Sequence, residues 1–203
     1  MKRIILTLIV LMLGLVANGQ EQQDYVVEDN GDVSFYKVLT CKDGKTKDAL
    51  FNIVESYFAY NYNDGKSVIQ TTNREKYYIV GSGIYADIHE ETNSFVGWAM
   101  LYSVPHVIRI DCKDGKARAI ITVSVYKIRK SNWMYRNRDV EYFDERISAN
   151  YPIAPQSKPN KLTNSEERGE EAYNALKLRI DAQFNAIEDA INQGNSVLEN
   201  EDW

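Results

Sequence analysis

Apolar and polar positions alternate through VSFYKVL (Val33–Leu39), and β-branched and aromatic side chains are frequent there, which predicts a strand. The period then changes. Leu50, Ile53, Val54, Tyr57 and Phe58 recur at i, i+3, i+4, i+7 and i+8, the single apolar face of an amphipathic helix. Thr46 stands before it as a cap, since its hydroxyl can accept from a backbone N–H that the first turn leaves unpaired. Asn61-Tyr62-Asn63-Asp64-Gly65 closes the helix with residues that tolerate left-handed backbone angles.

Alternation returns in SVIQTT (Ser67–Thr72) and, at greater length, in KYYIVGSGIYADIH (Lys76–His89). Residues 90–103 keep no single period, being polar first and apolar from Phe95 onward. Val107–Cys112 and Ala117–Ile128 are the clearest strands. Asp114-Gly115 between them predicts a tight hairpin with positive φ at both turn residues. After Ile128 come scattered basic residues and then Pro152, Pro155 and Pro159, which read as a linker over 129–163 with a short helix around Phe143–Ala149. Thr163-Asn164-Ser165-Glu166 fits a capping box. Tyr173, Leu176, Ile180, Phe184, Ile187 and Ile191 make a helical stripe behind it, ending near Gln193-Gly194 ahead of an acidic tail. The pattern therefore divides the chain into an α+β domain over 33–128, the linker, and a helical extension over 164–203.

The amino terminus changes the setting. Lys2 and Arg3, the apolar run Ile4–Val16 and the small residues of Ala17-Asn18-Gly19 have the three parts of a secretory signal peptide, with cleavage expected after Gly19. The run is shorter than the about 20 apolar residues a spanning helix needs. The expectation is therefore an exported chain, periplasmic or secreted, with no transmembrane segment once mature. Residues 20–32 form a polar, acidic lead-in. Loss of Lys2 and Arg3 takes the formal charge from −5 to −7, and an acidic surface repels polyanions, which argues against nucleic acid as a partner.

Three segments carry a family resemblance: Lys47-Asp48-Ala49-Leu50 opening the first helix, Val80-Gly81-Ser82-Gly83 in the long strand, and Lys113-Asp114-Gly115-Lys116-Ala117-Arg118 in the last hairpin. Over Val33–Ile128 the chain resembles a family of exported Bacteroidetes proteins described as a domain of unknown function with a TBP-like fold. The resemblance implies a β-α-β-β-β-β antiparallel sheet with a packed helix, and no activity. The sequence departs from it in a longer insertion before Val104 and in the helical tail.

Candidate chemistry is sparse. The chain has two cysteines, Cys41 and Cys112, each opening a copy of CKDGK. One copy links a strand to a helix and the other closes a hairpin, so the repeat reflects turn chemistry rather than duplication. An oxidising compartment permits a Cys41–Cys112 bridge, and the alternation equally allows two inward-facing, unreactive thiols. The only histidines are His89 and His106. Asp87, His89, Glu90 and Glu91 offer ligand atoms but lack metal-site spacing, and no metal or cofactor is expected. Gly81-Ser82-Gly83 lies inside a strand, so it is a bulge or close-packing signal and not a phosphate loop. The basic stretch Lys127–Arg138, with Tyr126, Trp133 and Tyr135 among it, reads as solvated linker.

One surface remains. If Ile108, Ile110, Ala119, Ile121, Val123 and Val125 face the first helix, then Arg109, Asp111, Arg118, Ile120, Thr122, Ser124 and Tyr126 face away. The long strand would add Tyr85, Asp87 and His89. Such a mixture suits a ligand or partner face made of Tyr85, Asp87, His89, Arg109, Arg118 and Tyr126. A solvated face, or one covered by the late helix, is the plainer alternative. The leading expectation is a non-enzymatic exported binding or assembly module for a protein or small envelope ligand, using the open sheet face or the C-terminal helix. An exported hydrolase with a site near Asp87, His89 and Arg109 is the alternative from another class. A structural envelope protein is a third.

Overall fold

The structure, a computed structural model, describes residues 25–61, 69–132, 140–147 and 165–193. In chain order the elements are β1 (Tyr25–Val27), β2 (Val33–Thr40), α1 (Lys47–Asn61), β3 (Ile69–Asn73), β4 (Tyr78–Asn93), β5 (Trp98–Lys113), β6 (Lys116–Val123), β7 (Val125–Asn132), β8 (Val140–Arg146) and α2 (Ser165–Gln193). All eight strands pair antiparallel in one open sheet ordered β1-β2-β6-β5-β4-β3, with β7 pairing β5 and β8. The fold is α+β, with more strands than the alternation suggested. The expected leader over 1–19, the proline-bearing segment and the Thr163-Asn164 half of the capping box lie outside the described residues. Among those residues no helix is long and apolar enough to cross a membrane.

Strand β5 organises the sheet. Its second half, His106–Lys113, pairs with β6, while its first half, Trp98–Ser103, pairs with β7. The residues that gave no period, 90–103, are the two arms of a long β4–β5 hairpin. The expected lead-in contributes a strand as well, because Tyr25–Val27 pairs with Phe35–Val33 of β2. A larger correction falls on 129–163. Where a short helix was expected around Phe143–Ala149, the chain runs as β8 through Arg146, with Phe143 half-buried opposite Ile128. Lys127 lies directly across from Asp144 and Lys130 from Glu141, with N–O distances of 3.4 and 3.8 Å. Opposite charges at facing positions favour this ladder, and they neutralise part of the basic stretch.

Both helices lie against the same face of the sheet. Thr46 caps α1 as expected, its Oγ1 accepting from Ala49 N at 3.3 Å. Leu50, Phe51, Val54, Tyr57 and Phe58 are buried against Ile79, Ile108, Ile110 and Ile121. The α2 stripe Tyr173, Leu176, Ile180, Phe184, Ile187 and Ile191 is buried in the same core. Gln183 Nε2 donates to Tyr57 Oη at 2.5 Å, and Lys37 Nζ meets Glu188 Oε2 at 2.9 Å, which fixes α2 beside α1 and across β2. Each fully buried Ile, Leu or Phe contributes on the order of 2 kcal/mol, so α2 is a structural part of the domain. Its apolar stripe is used up inside the fold and does not present a docking surface.

Candidate functional site

With both helices on one side, the other face of β2, β6, β5 and β4 is uncovered among the described residues. Cross-strand register lays it out in rows. Val38, Arg118, Asp111 and Tyr78 form one row; Tyr36, Ile120, Arg109 and Val80 form the next; Ser34, Thr122, Val107 and Ser82 form the third. Exposed apolar side chains are frequent here: Tyr36 is 44% exposed, Val38 57%, Val107 40% and Ile84 54%. At the centre Arg109 Nε and Nη2 donate to Asp111 Oδ1 at 2.9 and 2.8 Å, and Arg118 Nη2 donates to Asp111 Oδ2 at 2.8 Å. Burial raises the Asp111 carboxyl, but hydrogen bonds and charge from the two guanidiniums outweigh it and leave its pKa below the usual range. The guanidinium of Arg109 also lies over the Tyr78 ring, 4.4 Å from its centroid. The trio therefore presents one fixed carboxylate and a net positive charge.

The two CKDGK turns meet at one end of this face. Cys41 N donates to Gly115 O and Gly115 N to Lys45 O, both at 2.9 Å, and Lys47 N donates to Asp114 Oδ1 at 2.8 Å. Asp114 thus satisfies an amide of the first turn of α1 from the other copy of the motif. Gly115 has φ 76°, whereas Asp114 is outside the left-handed region, so the hairpin turn lacks the paired positive φ values that its sequence suggested.

The six residues expected to share a binding face are divided between both sides of the sheet. Arg109 and Arg118 are on the open face. Tyr85, His89 and Tyr126 are on the helix side. Tyr85 is buried and stacks on His106 with centroids 4.0 Å apart. His89 Nε2 is 3.7 Å from Glu171 Oε2 of α2. Tyr126 is fully buried, edge-on to Tyr102, and burial pushes its hydroxyl pKa up. Asp87 sits in a bulge between Tyr85 and His89 with φ 45°, its backbone N–H donating to Ser103 Oγ at 3.0 Å.

Two irregularities explain the division. In β4 the even-numbered residues Tyr78, Val80, Ile84 and Ala86 carry the apolar bulk, yet the odd set Ile79, Gly81 and Tyr85 faces the helices. Gly81 makes this possible by admitting the Phe58 ring of α1. Past Val123 the chain gains one residue relative to β5: His106 faces Val123, but Ser103 faces Lys127. An odd insertion exchanges the faces, so Tyr126 and Ile128 turn inward where continued alternation sends Tyr126 outward.

The hydrolase arrangement is not formed. Arg109 pairs with Val80 on the open side, whereas His89 pairs with Tyr102 under α2 and Asp87 is at the bulge. Among the described residues no group of three or more His, Cys, Asp and Glu side chains is placed to hold a metal ion. The bridge considered for Cys41 and Cys112 is also not present: both are free and buried. Cys41 Sγ points to Ile191 O of α2 at 3.9 Å, and burial together with Asp111 pushes the Cys112 thiol up to about 12. Thiolate is the reactive form, which Cys112 lacks, and Cys41 is shielded by burial, so neither residue should label with a disulfide reagent until the protein is unfolded, after which both should. Labelling of either thiol in the native state would contradict their placement.

A family model described as a domain of unknown function (DUF4468) with TBP-like fold matches residues 25–127, just over half of the chain. The chain belongs to this family. The DUF4468 match begins at β1, earlier than the domain edge at Val33 suggested by alternation, and stops before β8 and α2. Two solved structures agree in fold. A TBP-like protein from Parabacteroides distasonis has 14% identity and a TM-score of 0.53, covering 81% of this chain and 95% of its own. A DUF4468 family protein from Bacteroides ovatus has 16% identity and a TM-score of 0.51, covering 86% of this chain and 96% of its own. These identities speak to fold alone. Among curated proteins nothing matches.

Proposed function

We propose that this DUF4468 chain is an exported, non-enzymatic binding module whose open sheet face receives a protein partner that is both acidic and apolar. The observation that carries the reading is the composition of that face. Tyr36, Val38, Val107 and Ile84 are exposed around Arg109 and Arg118, with Lys113 and Lys116 at one end and Asp111 as the one acid in the three rows. Apolar side chains clustered beside arginines are what a protein interface uses at its centre. The chain as a whole is acidic, so a locally basic face favours an acidic partner by charge complementarity.

The test is affinity capture from an envelope extract using the native chain, a Tyr36→Ser/Val38→Ser variant and a Leu178→Ser variant. Leu178 is 71% exposed on α2, away from the open face, and serves as a matched surface change. An acidic partner retained by native protein and by Leu178→Ser, released by salt, and at least about tenfold depleted on the face variant is the expected result. Equal recovery on all three proteins would show that the open face does not bind the partner.

A further inference from the structure

Where the paired turns meet the open face there is a hollow of about 210 Å³ lined by Val38, Asp111, Lys113, Lys116, Ala117 and Arg118. Its charge is unbalanced in a specific way. Lys113 and Lys116 are directly opposite each other at the end of the β5–β6 ladder, on the same face as Arg118. Like charges at facing positions repel. Neither lysine has an ion-pair partner among the described residues. Asp111, the one acid in the lining, cannot relieve them because both of its oxygens already accept from Arg109 and Arg118. The backbone beneath is rigid, since three hydrogen bonds tie this hairpin turn to the turn before α1.

We propose that this hollow is a preformed carboxylate subsite, filled by an acidic side chain or chain terminus of the partner, with Val38 packing on the adjoining methylenes. The inference rests on the open-face reading and adds to it the class of group recognised and the two lysines that recognise it. A carboxylate between Lys113 and Lys116 gains two charge-assisted contacts and removes the repulsion between the ammoniums. Val38, 57% exposed at the edge of the hollow, favours an anion carried on a short apolar stem over a free inorganic ion.

The experiment is an NMR titration of the full 15N-labelled chain with the blocked dipeptide N-acetyl-leucyl-glutamate amide. The glutamine twin is titrated in parallel, and inorganic phosphate in a third arm. The glutamate peptide should shift the amides of residues 113–118 and saturate in the millimolar range, with the twin at least about tenfold weaker. Lys113→Gln with Lys116→Gln should abolish the response while leaving the melting temperature unchanged or higher, because that pair repels in the unliganded protein. Equal responses to the twins, or none to the glutamate peptide, would overturn the subsite. Stronger binding of phosphate would overturn the carboxylate assignment. Should the peptide fail while Tyr36→Ser/Val38→Ser still loses its partner, the subsite falls and the open-face reading stands. If that variant keeps its partner, the open-face reading falls first.

Discussion

Gly81→Ala should destabilise the domain by about 2 kcal/mol, although alanine in a strand normally improves on glycine. The cause is a single contact. A Cβ built on Gly81 comes within 2.6 Å of Phe58 Cε1, with Cδ1 at 3.1 Å and Cζ at 3.3 Å. Phe58 is fully buried in α1, so its ring cannot turn out toward solvent to make room. The added methyl must push the helix from the sheet or drive the ring off its rotamer. Denaturant midpoints for Gly81→Ala, Phe58→Leu and the double variant provide the check. The alanine should be nearly neutral once Phe58 is leucine, a coupling of at least about 1 kcal/mol. Additive effects would mean that α1 is not seated on β4 at this glycine.

Acidification should destabilise the protein through His106. Burial holds this imidazole down at about 4, against an ordinary value of 6.5, while the nearby Val104 backbone pulls weakly the other way without meeting hydrogen-bond geometry at either ring nitrogen. A lowered pKa in the folded state means that between 6.5 and 4 the unfolded chain binds a proton that the folded chain refuses. Stability is therefore complete above about pH 6.5 and falls as pH drops toward 4, by on the order of 3 kcal/mol in total. Asp111 acts in a separate window: its pKa lies below the ordinary 3.8, so what it contributes is present above that value and is lost only as pH falls through its lowered folded pKa. The two windows can thus be told apart. His106→Leu should flatten the profile from pH 6.5 to 4. A native protein equally stable at pH 6.5 and 4.5 would contradict the burial of an unsatisfied ring stacked on Tyr85.

Both effects arise where simple periodicity misleads. The helices were legible because each shows an apolar stripe: Leu50, Val54, Tyr57 and Phe58 are buried as their spacing requires, with Ile53 only partly buried and Phe51 buried beside them, and the whole stripe from Tyr173 to Ile191 is buried. The β5–β6 hairpin was legible from Asp114-Gly115 between alternating runs, though not its turn geometry. The face of β4 was not, because its most apolar residues, Val80 and Ile84 among them, look outward. The inward side is set instead by the small size of Gly81 beneath Phe58, which is a tertiary fact. The inward turn of Tyr126 needed knowledge of a one-residue offset against β5, which hydropathy does not encode. For β8 a signal did exist: basic β7 and acidic β8 are complementary at Lys127/Asp144 and Lys130/Glu141, a pattern visible only when two distant segments are compared. As a consequence, only Arg109 and Arg118 of the expected binding face remain on the open side. The neighbours that replace the others, Tyr36, Val38, Val107 and Ile84, are more apolar than the sequence suggested.

The claim that the open face, and not the helix side, meets the partner can be read by placing a photo-crosslinking residue at single positions in producing cells. Val107 is central on the open face, and Leu178 is exposed on α2. A discrete, salt-sensitive adduct with an acidic protein is expected from position 107, and none from position 178. Adducts from 178 alone, or none from 107 at any salt concentration, would contradict it.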